Sequence, residues 1–178
     1  MSVLRRIPVI VLLCSLAGAV PAGESPLASL PRHVALDQHR HVSGQPTVEA
    51  IAQLKSAGIT TVIDLRPDQE TPDLDEKAAA EKAGLRYLVL PISGATDLSP
   101  ENVTRFDQLL KQTASENVLI HCASGNRVGA MLALQARWVQ GKSAEESLAI
   151  GKAAGMTGLT GDVQKLLESK PMQSRATR

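Results

Sequence analysis

The residues best suited to chemistry fall in one run, His121-Cys122-Ala123-Ser124-Gly125-Asn126-Arg127-Val128-Gly129-Ala130. It follows the apolar stretch Val118-Leu119-Ile120, which reads as a short buried strand, and leads into a helical pattern from about Arg127 to Gln140. In open α/β sheets such strand-to-helix junctions are where ligands bind. Free N–H groups and the positive end of the helix dipole stabilise an anion there, and they favour the thiolate of a cysteine. Gly125 lets the backbone curl so that the N–H groups of Ala123, Ser124, Gly125 and Asn126 point inward, and Arg127 adds a planar fork suited to two oxygens of an oxyanion. A lone cysteine more often packs as a small apolar residue. With a glycine and an arginine within six residues of a strand end, Cys122 reads instead as a nucleophile and Arg127 as the anion clamp.

The rest of the composition narrows what such a site would serve. The formal net charge is +1 and only Tyr87, Phe106 and Trp138 are aromatic, so neither a basic face nor stacking platforms for nucleic acid are expected. Arg5-Arg6, the apolar run from Ile7 to Val20 and the small-residue site at Val20-Pro21-Ala22 read as a secretory signal peptide over residues 1–22. The run is shorter than the roughly 20 residues of a spanning helix, and Leu13 before Cys14 is bulky for lipoprotein processing. The expectation is a periplasmic domain with no stable membrane insertion after cleavage. Losing this segment removes Cys14, and Cys122 is then a single thiol without an intramolecular partner.

The elements that must position this site alternate. Thr47 can cap a helix with apolar Val48, Ile51 and Leu54, stopped at Gly58, and a β-branched strand follows over Ile59–Leu65. Leu74–Ala83 reads as a helix, Leu85–Leu90 as a strand, and Ser99-Pro100 opens a helix that buries Val103, Phe106 and Leu110. Ser143-Ala144-Glu145-Glu146 fits a capping box, and a last helix covers Asp162–Leu167. Strands alternating with helices imply an α/β fold, a mostly parallel central sheet flanked by helices. The domain spans residues 34–170, after an extended leader over 23–33 and before a flexible tail over 171–178.

The His121-Cys122-x-x-Gly125…Arg127 run, with Ser43-Gly44-Gln45-Pro46-Thr47 and Thr61-Val62-Ile63-Asp64-Leu65-Arg66-Pro67, resembles the dual-specificity-like branch of the cysteine phosphatases. Within it, the chain is most similar to the bacterial phosphatase-like domain of β-lactamase-hydrolase-like proteins, over about residues 34–168. The resemblance implies a protein-tyrosine-phosphatase-like fold, a phosphocysteine intermediate on Cys122, phosphate held by Arg127, a phosphorylated substrate or inorganic oxyanion as partner, and no cofactor. The usual Cys-x5-Arg spacing followed by Ser or Thr is here Cys-x4-Arg followed by Val128, with Ser124 the available hydroxyl. A loop of that length is typical of rhodanese-like sulfurtransferases, so a Cys122 persulfide carrier stands as the alternative. A non-catalytic oxyanion-binding module is another.

The family's general acid is an aspartate upstream of the cysteine, and Asp97 is the positional candidate, with helix capping its competing role. Asp68 and Glu70 stand in reserve. Asp64, inside a strand pattern, reads as structural, and Arg66 as a solvated strand-end residue more than as a second anion clamp. His121 is expected to orient the loop and tune the thiolate by hydrogen bonding, its ring turned away from Cys122 by strand alternation. His39 and His41 share one strand face, as two metal ligands would, without an evident third; His33 is the remaining histidine, and no metal site is expected.

Overall fold

A computed structural model describes residues 25–169, so the signal peptide expected at 1–22 and the tail expected at 171–178 lie outside the described residues. Five strands form one sheet: β1 (Val34–Ala35), β2 (Arg40–Ser43), β3 (Thr61–Asp64), β4 (Arg86–Val89) and β5 (Val118–His121), in the order β1-β2-β5-β3-β4. β1 runs antiparallel to β2, and every other pairing is parallel. The last strand in sequence therefore lies at the centre, paired on both sides. All four of its residues are buried, which is why Val118-Leu119-Ile120 is wholly apolar rather than alternating.

Among the described residues six helices surround the sheet: α1 (Val48–Leu54), α2 (Glu76–Lys82), α3 (Pro100–Gln112), α4 (Asn126–Trp138), α5 (Ala144–Ala153), which packs on α4 and α6, and α6 (Thr160–Glu168). Their starts follow local chemistry. The hydroxyls of Thr47, Ser99 and Ser143 accept from the backbone N–H groups of Ala50, Asn102 and Glu146, and the Ser143–Glu146 capping box is complete.

Strand alternation divides the core into two. Val62 and Leu119 point toward α1 and α2 and pack with Ile51, Leu54, Ile59 and Ala80. Ile63, Leu65, Ile120 and Cys122 point the other way, against Phe106, Met131, Leu134 and Val163 beneath α3, α4 and α6. Removing a fully buried side chain such as Phe106 from water contributes about 1.5–3 kcal/mol. Asp64 and His121, one position out of phase with Leu65 and Cys122, consequently belong to the α1/α2 side.

α4 is enclosed on nearly all sides, being buried continuously from Arg127 to Ala136. A side chain at Gly129 would come within 2.5 Å of the Gly151 carbonyl oxygen and 2.6 Å of the Met156 nitrogen. The missing side chain is what lets α5 and the turn after it press directly on the first turn of α4.

Two features differ from the sequence reading. The leader over 23–33 is not simply extended: Ser25 caps a single 3-10 turn over Pro26–Ser29, and Leu30 is buried in the α1/α2 core with Leu27 packed against it. The antiparallel β1 edge was also not expected, because a two-residue strand is too short for alternation to register.

Candidate active site

Cys122 follows β5 directly and is fully buried on the α3–α6 side. Gly125 then adopts φ +81°, the left-handed region that costs an L side chain, and occupies the N-cap of α4 without a side-chain cap. Among the described residues, the first-turn N–H groups of Asn126, Arg127 and Val128 make no backbone hydrogen bond. These are the unsatisfied donors that any helix start presents. The loop is braced from outside, where the Gln45 N–H donates to the Ala123 carbonyl at 3.2 Å and Gly44 bridges Ser124. A Cβ on Gly44 would stand 3.0 Å from that same carbonyl. The Asn126 side chain turns outward, its Oδ1 accepting from Thr157 N at 2.8 Å and Leu159 N at 3.2 Å, so it ties the α5–α6 connection to the loop. Ser124 is half-buried and Ala123 exposed.

Arg127 is only 8% exposed and holds three hydrogen bonds. Its Nη1 donates to Glu70 Oε1 at 2.5 Å and to the Ile92 carbonyl at 2.8 Å, and its Nη2 to Glu70 Oε2 at 2.7 Å. Burial alone would weaken the guanidinium's hold on its proton, but the Glu70 carboxylate and the nearby Cys122 sulfur reverse that and hold it more firmly charged. The guanidinium and the thiol are thus neighbours, as the sequence spacing requires, and Glu70 grips the guanidinium in the planar two-point manner in which arginine binds oxyanions.

Asp97 sits in a short 3-10 turn over Ala95–Asp97, half-buried. Its Oδ2 accepts from Ser93 N at 2.7 Å and its carbonyl from Asn102 Nδ2 at 2.9 Å. It does not cap α3, since Ser99 does; it closes the turn that begins beside Ile92, the residue whose carbonyl touches Arg127. Asp68 is exposed at the start of the turn that carries Glu70.

On the opposite side of the sheet lies a second charged group. Arg66 is 2% exposed, not a solvated strand-end residue: its N–H and Nε donate to Asp64 Oδ1, its Nη2 to Asp64 Oδ2, and Nη2 also to Glu76 Oε2. The Tyr87 hydroxyl donates to Asp64 Oδ2 at 2.8 Å. Burial pushes the Asp64 carboxyl up, yet Arg66, the His121 charge and the Tyr87 hydroxyl together hold it below the usual carboxylate range. Burial and the Asp64 and Glu76 charges raise the Tyr87 phenol. His121 Nε2 stands 2.8 Å from Glu76 Oε1 and 3.7 Å from Asp64 Oδ1, off the hydrogen-bonding axis. The imidazole is turned away from Cys122, as strand alternation predicts, and the expected hydrogen bonding to the thiolate loop is absent among the described contacts.

Asp64, Glu76 and His121 bring ligating atoms within 4.8 Å of one another. The guanidinium of Arg66 already bonds both carboxylates, so the position a metal cation would take is filled by a fixed positive charge. A cleft of about 520 Å³ opens beside this group, lined by Asp64, Arg66, Asp68, Asp75, Glu76 and Tyr87 among others, and reached by neither Cys122 nor Arg127. His39 and His41 do not converge on a shared ligand. His41 stacks on His33 with 3.0 Å between Nδ1 and Nε2, and His39 bonds Asn117 Oδ1 at 2.7 Å.

Sequence reasoning weighed Glu70 only as a reserve acid and did not connect it with Arg127. The two are 57 residues apart, on separate crossovers, and no local pattern links them.

Residues 35–173 match the family described as "DSP-PTPase phosphatase fused to NAD+ Kinase". The β-lactamase hydrolase-like protein of Xylella fastidiosa 9a5c is 32% identical over 129 residues, 70% of this chain and 29% of its own length. The chain thus spans under a third of that curated relative. Among solved structures, a DUF442 protein from Shewanella putrefaciens CN-32 superposes with a TM-score of 0.63 at 24% identity, covering 79% of this chain and 89% of its own. Pseudomonas aeruginosa TpbA in complex with pTyr gives a TM-score of 0.57 at 20% identity, covering 78% and 83%. A central parallel sheet, a cysteine at the end of its middle strand and an arginine in the first turn of the following helix agree with the matched span: the chain belongs to the DSP-PTPase phosphatase family.

Proposed function

We infer that this protein is an exported cysteine-dependent phosphatase that hydrolyses phosphate monoesters through a phosphocysteine intermediate. The observation that carries the reading is the company Arg127 keeps. It is buried beside Cys122, at a helix start whose N–H groups lack backbone partners, and it already grips an oxyanion, the carboxylate of Glu70.

In the mechanism, the Cys122 thiolate attacks phosphorus, an S–P bond forms and the P–O bond to the leaving group breaks. Asp97 delivers its proton to the departing oxygen. Arg127 and the loop N–H groups hold the equatorial oxygens, whose charge is greatest in the transition state. Water, deprotonated by the Asp97 carboxylate, then attacks phosphorus and restores the thiolate. TpbA, of the same fold, binds pTyr. The scarcity of aromatic residues in this chain leaves few rings to clamp a phenyl group, which favours a broad or small phosphorylated substrate.

A paired assay tests the reading. The protein lacking residues 1–22 and its Cys122→Ser variant are given an aryl phosphate and, separately, thiosulfate with cyanide. Phosphate release by the wild type and its loss in the variant are expected. Release that persists without the thiol overturns the mechanism, and thiocyanate formation without phosphate release would assign the six-residue Cys122–Arg127 loop to sulfur transfer. Phosphate binding with neither turnover would leave an oxyanion-binding module. Asp97→Asn is expected to slow a substrate with a poor leaving group by about 10²- to 10⁴-fold and one with a good leaving group much less. N-terminal sequencing of chain recovered from the periplasm checks cleavage after Ala22.

A further inference from the structure

β1 runs antiparallel to β2 with Val34 opposite Val42, so the residues just before it, Pro31, Arg32 and His33, lie at the same end of the sheet as the Cys122–Arg127 loop. There the leader backs that loop through Gly44. The Gly44 N–H donates to the Pro31 carbonyl at 2.7 Å, Gly44 bridges Ser124, and the Gln45 N–H donates to the Ala123 carbonyl. A Cβ on Gly44 would stand 3.3 Å from Pro31 Cβ and 3.0 Å from the Ala123 oxygen, so leader, Gly44 and loop touch with no space between them. Across a planar trans peptide the carbonyl and the next N–H point opposite ways. With the Ala123 carbonyl turned out to Gln45, the Ser124 N–H is turned into the loop, where an anion needs donors.

Arg32 sits between two anchors in a strained conformation. Its φ is +51°, and it is the only non-glycine among the described residues in the left-handed region, which an L side chain adopts only where its surroundings hold it. One anchor is the Pro31–Gly44 bond. The other is the hydrogen bond between His33 Nε2 and His41 Nδ1, 3.0 Å long with the ring planes within 22° of each other. In a neutral pair one of these nitrogens donates and the other accepts. A first added proton settles on an outward nitrogen and leaves the bond in place, now charge-assisted. A second must take the accepting nitrogen, which makes donors of both facing nitrogens and sets two cations against each other. Burial lowers His33, and burial with the His33 charge lowers His41 against the pull of Asp37, a carboxylate that Arg40 holds. Arg32, next in the chain, is a further positive charge. The bond is therefore intact above histidine's ordinary value of about 6.5 and is lost as pH falls through the lowered folded values.

We propose that His33 and His41 form a latch, opened by two protons, that holds the leader against Gly44 and so fixes the Ala123–Ser124 peptide of the phosphate site. The two histidines are then positioning residues for the phosphatase chemistry read above, on which this inference rests. Leu30 in the α1/α2 core and Val34 opposite Val42 pin the segment on either side, so opening the latch loosens Pro31–His33 and leaves the fold in place.

The test compares the protein lacking residues 1–22 with its His33→Ala and His33→Gln variants, read in kcat and KM for an aryl phosphate and in hydrogen exchange of the Gly44 amide. At neutral pH, His33→Ala is expected to speed Gly44 exchange and to lower kcat by about three- to tenfold, the worth of one neutral hydrogen bond. His33→Gln donates its amide to neutral His41 and, turned over, accepts from the protonated form, so it restores most of the loss and its latch ignores pH. The ratio of wild-type to His33→Gln kcat/KM is expected to fall by a similar factor between about pH 7 and about pH 5, the titration of Cys122 and of the leaving-group acid cancelling between the two. His41→Ala on top of His33→Ala should add nothing, and urea unfolding confirms that each variant is folded. An active wild type with unchanged kinetics and unchanged Gly44 exchange in His33→Ala overturns the latch, as does a ratio that stays flat with pH. A wild type that neither turns over an aryl phosphate nor binds phosphate removes the phosphatase reading instead, and Gly44 exchange then still decides whether the latch holds the leader.

Discussion

Two charged groups occupy the carboxyl ends of adjacent strands β3 and β5, on opposite faces of the sheet, and they are built to opposite ends. On the α2 side, Arg66 lies between Asp64 and Glu76, with Tyr87 and His121 closing round them, and all but Tyr87 are buried. On the α4 side, Arg127 has one carboxylate partner, part of its donor set uncommitted, and a helix start with orphan N–H groups beside a thiol. In the first group one guanidinium bonds two buried carboxylates, although Arg66 Nη1, Glu76 Oε1 and both His121 ring nitrogens have no hydrogen-bond partner; in the second the guanidinium stands beside a thiol and a helix start whose N–H groups lack backbone partners. What separates them is a single step in strand phase, Asp64 and His121 facing one way, Leu65 and Cys122 the other.

Replacing each arginine by methionine separates the two roles. Arg66→Met leaves two buried carboxylates without their counter-charge and is expected to lower unfolding free energy by about 3–5 kcal/mol, measured by urea titration. A loss below about 1 kcal/mol would mean that the cluster is not the structural member of the pair. Arg127→Met is expected to reduce kcat by about 10²- to 10³-fold against an aryl phosphate. Its stability should change by no more than about 1 kcal/mol, because the partly exposed Glu70 can rehydrate. Full activity in that variant would break the contrast from the other side.

The smallest effect lies in acid. Asp64 binds its proton less readily in the folded protein than in the unfolded chain, so its contribution is fully present above about pH 4 and is lost as pH falls through its lowered folded value. Stability of the wild type should fall steeply in that range, and Asp64→Asn should flatten the slope while lowering the plateau above it. An unchanged slope would show that other carboxylates govern the acid limb.

Much of the fold was legible because it rests on local chemistry. Thr47, Ser99 and Ser143 are caps wherever the chain goes next, and a β-branched run such as Ile59–Leu65 has few alternatives to a strand. The β1 edge and the docking of Leu27 and Leu30 escaped because each is too short to show a period. Arg66 was misjudged as solvated for a related reason: whether a charge is buried depends on who pairs with it, and Glu76 stands ten residues on, across a loop.

The same division runs through the site. Sequence by itself determined that a thiol, a permissive glycine and a guanidinium would meet at one helix start, because six consecutive residues between a strand and a helix have almost no freedom to do otherwise. Only the tertiary structure decided which donors of that guanidinium are committed, since Glu70 and the Ile92 carbonyl arrive on separate crossovers and converge through the pairing order of the strands. Backbone stereochemistry places neighbours in sequence; the packing of crossovers on the sheet places partners in space.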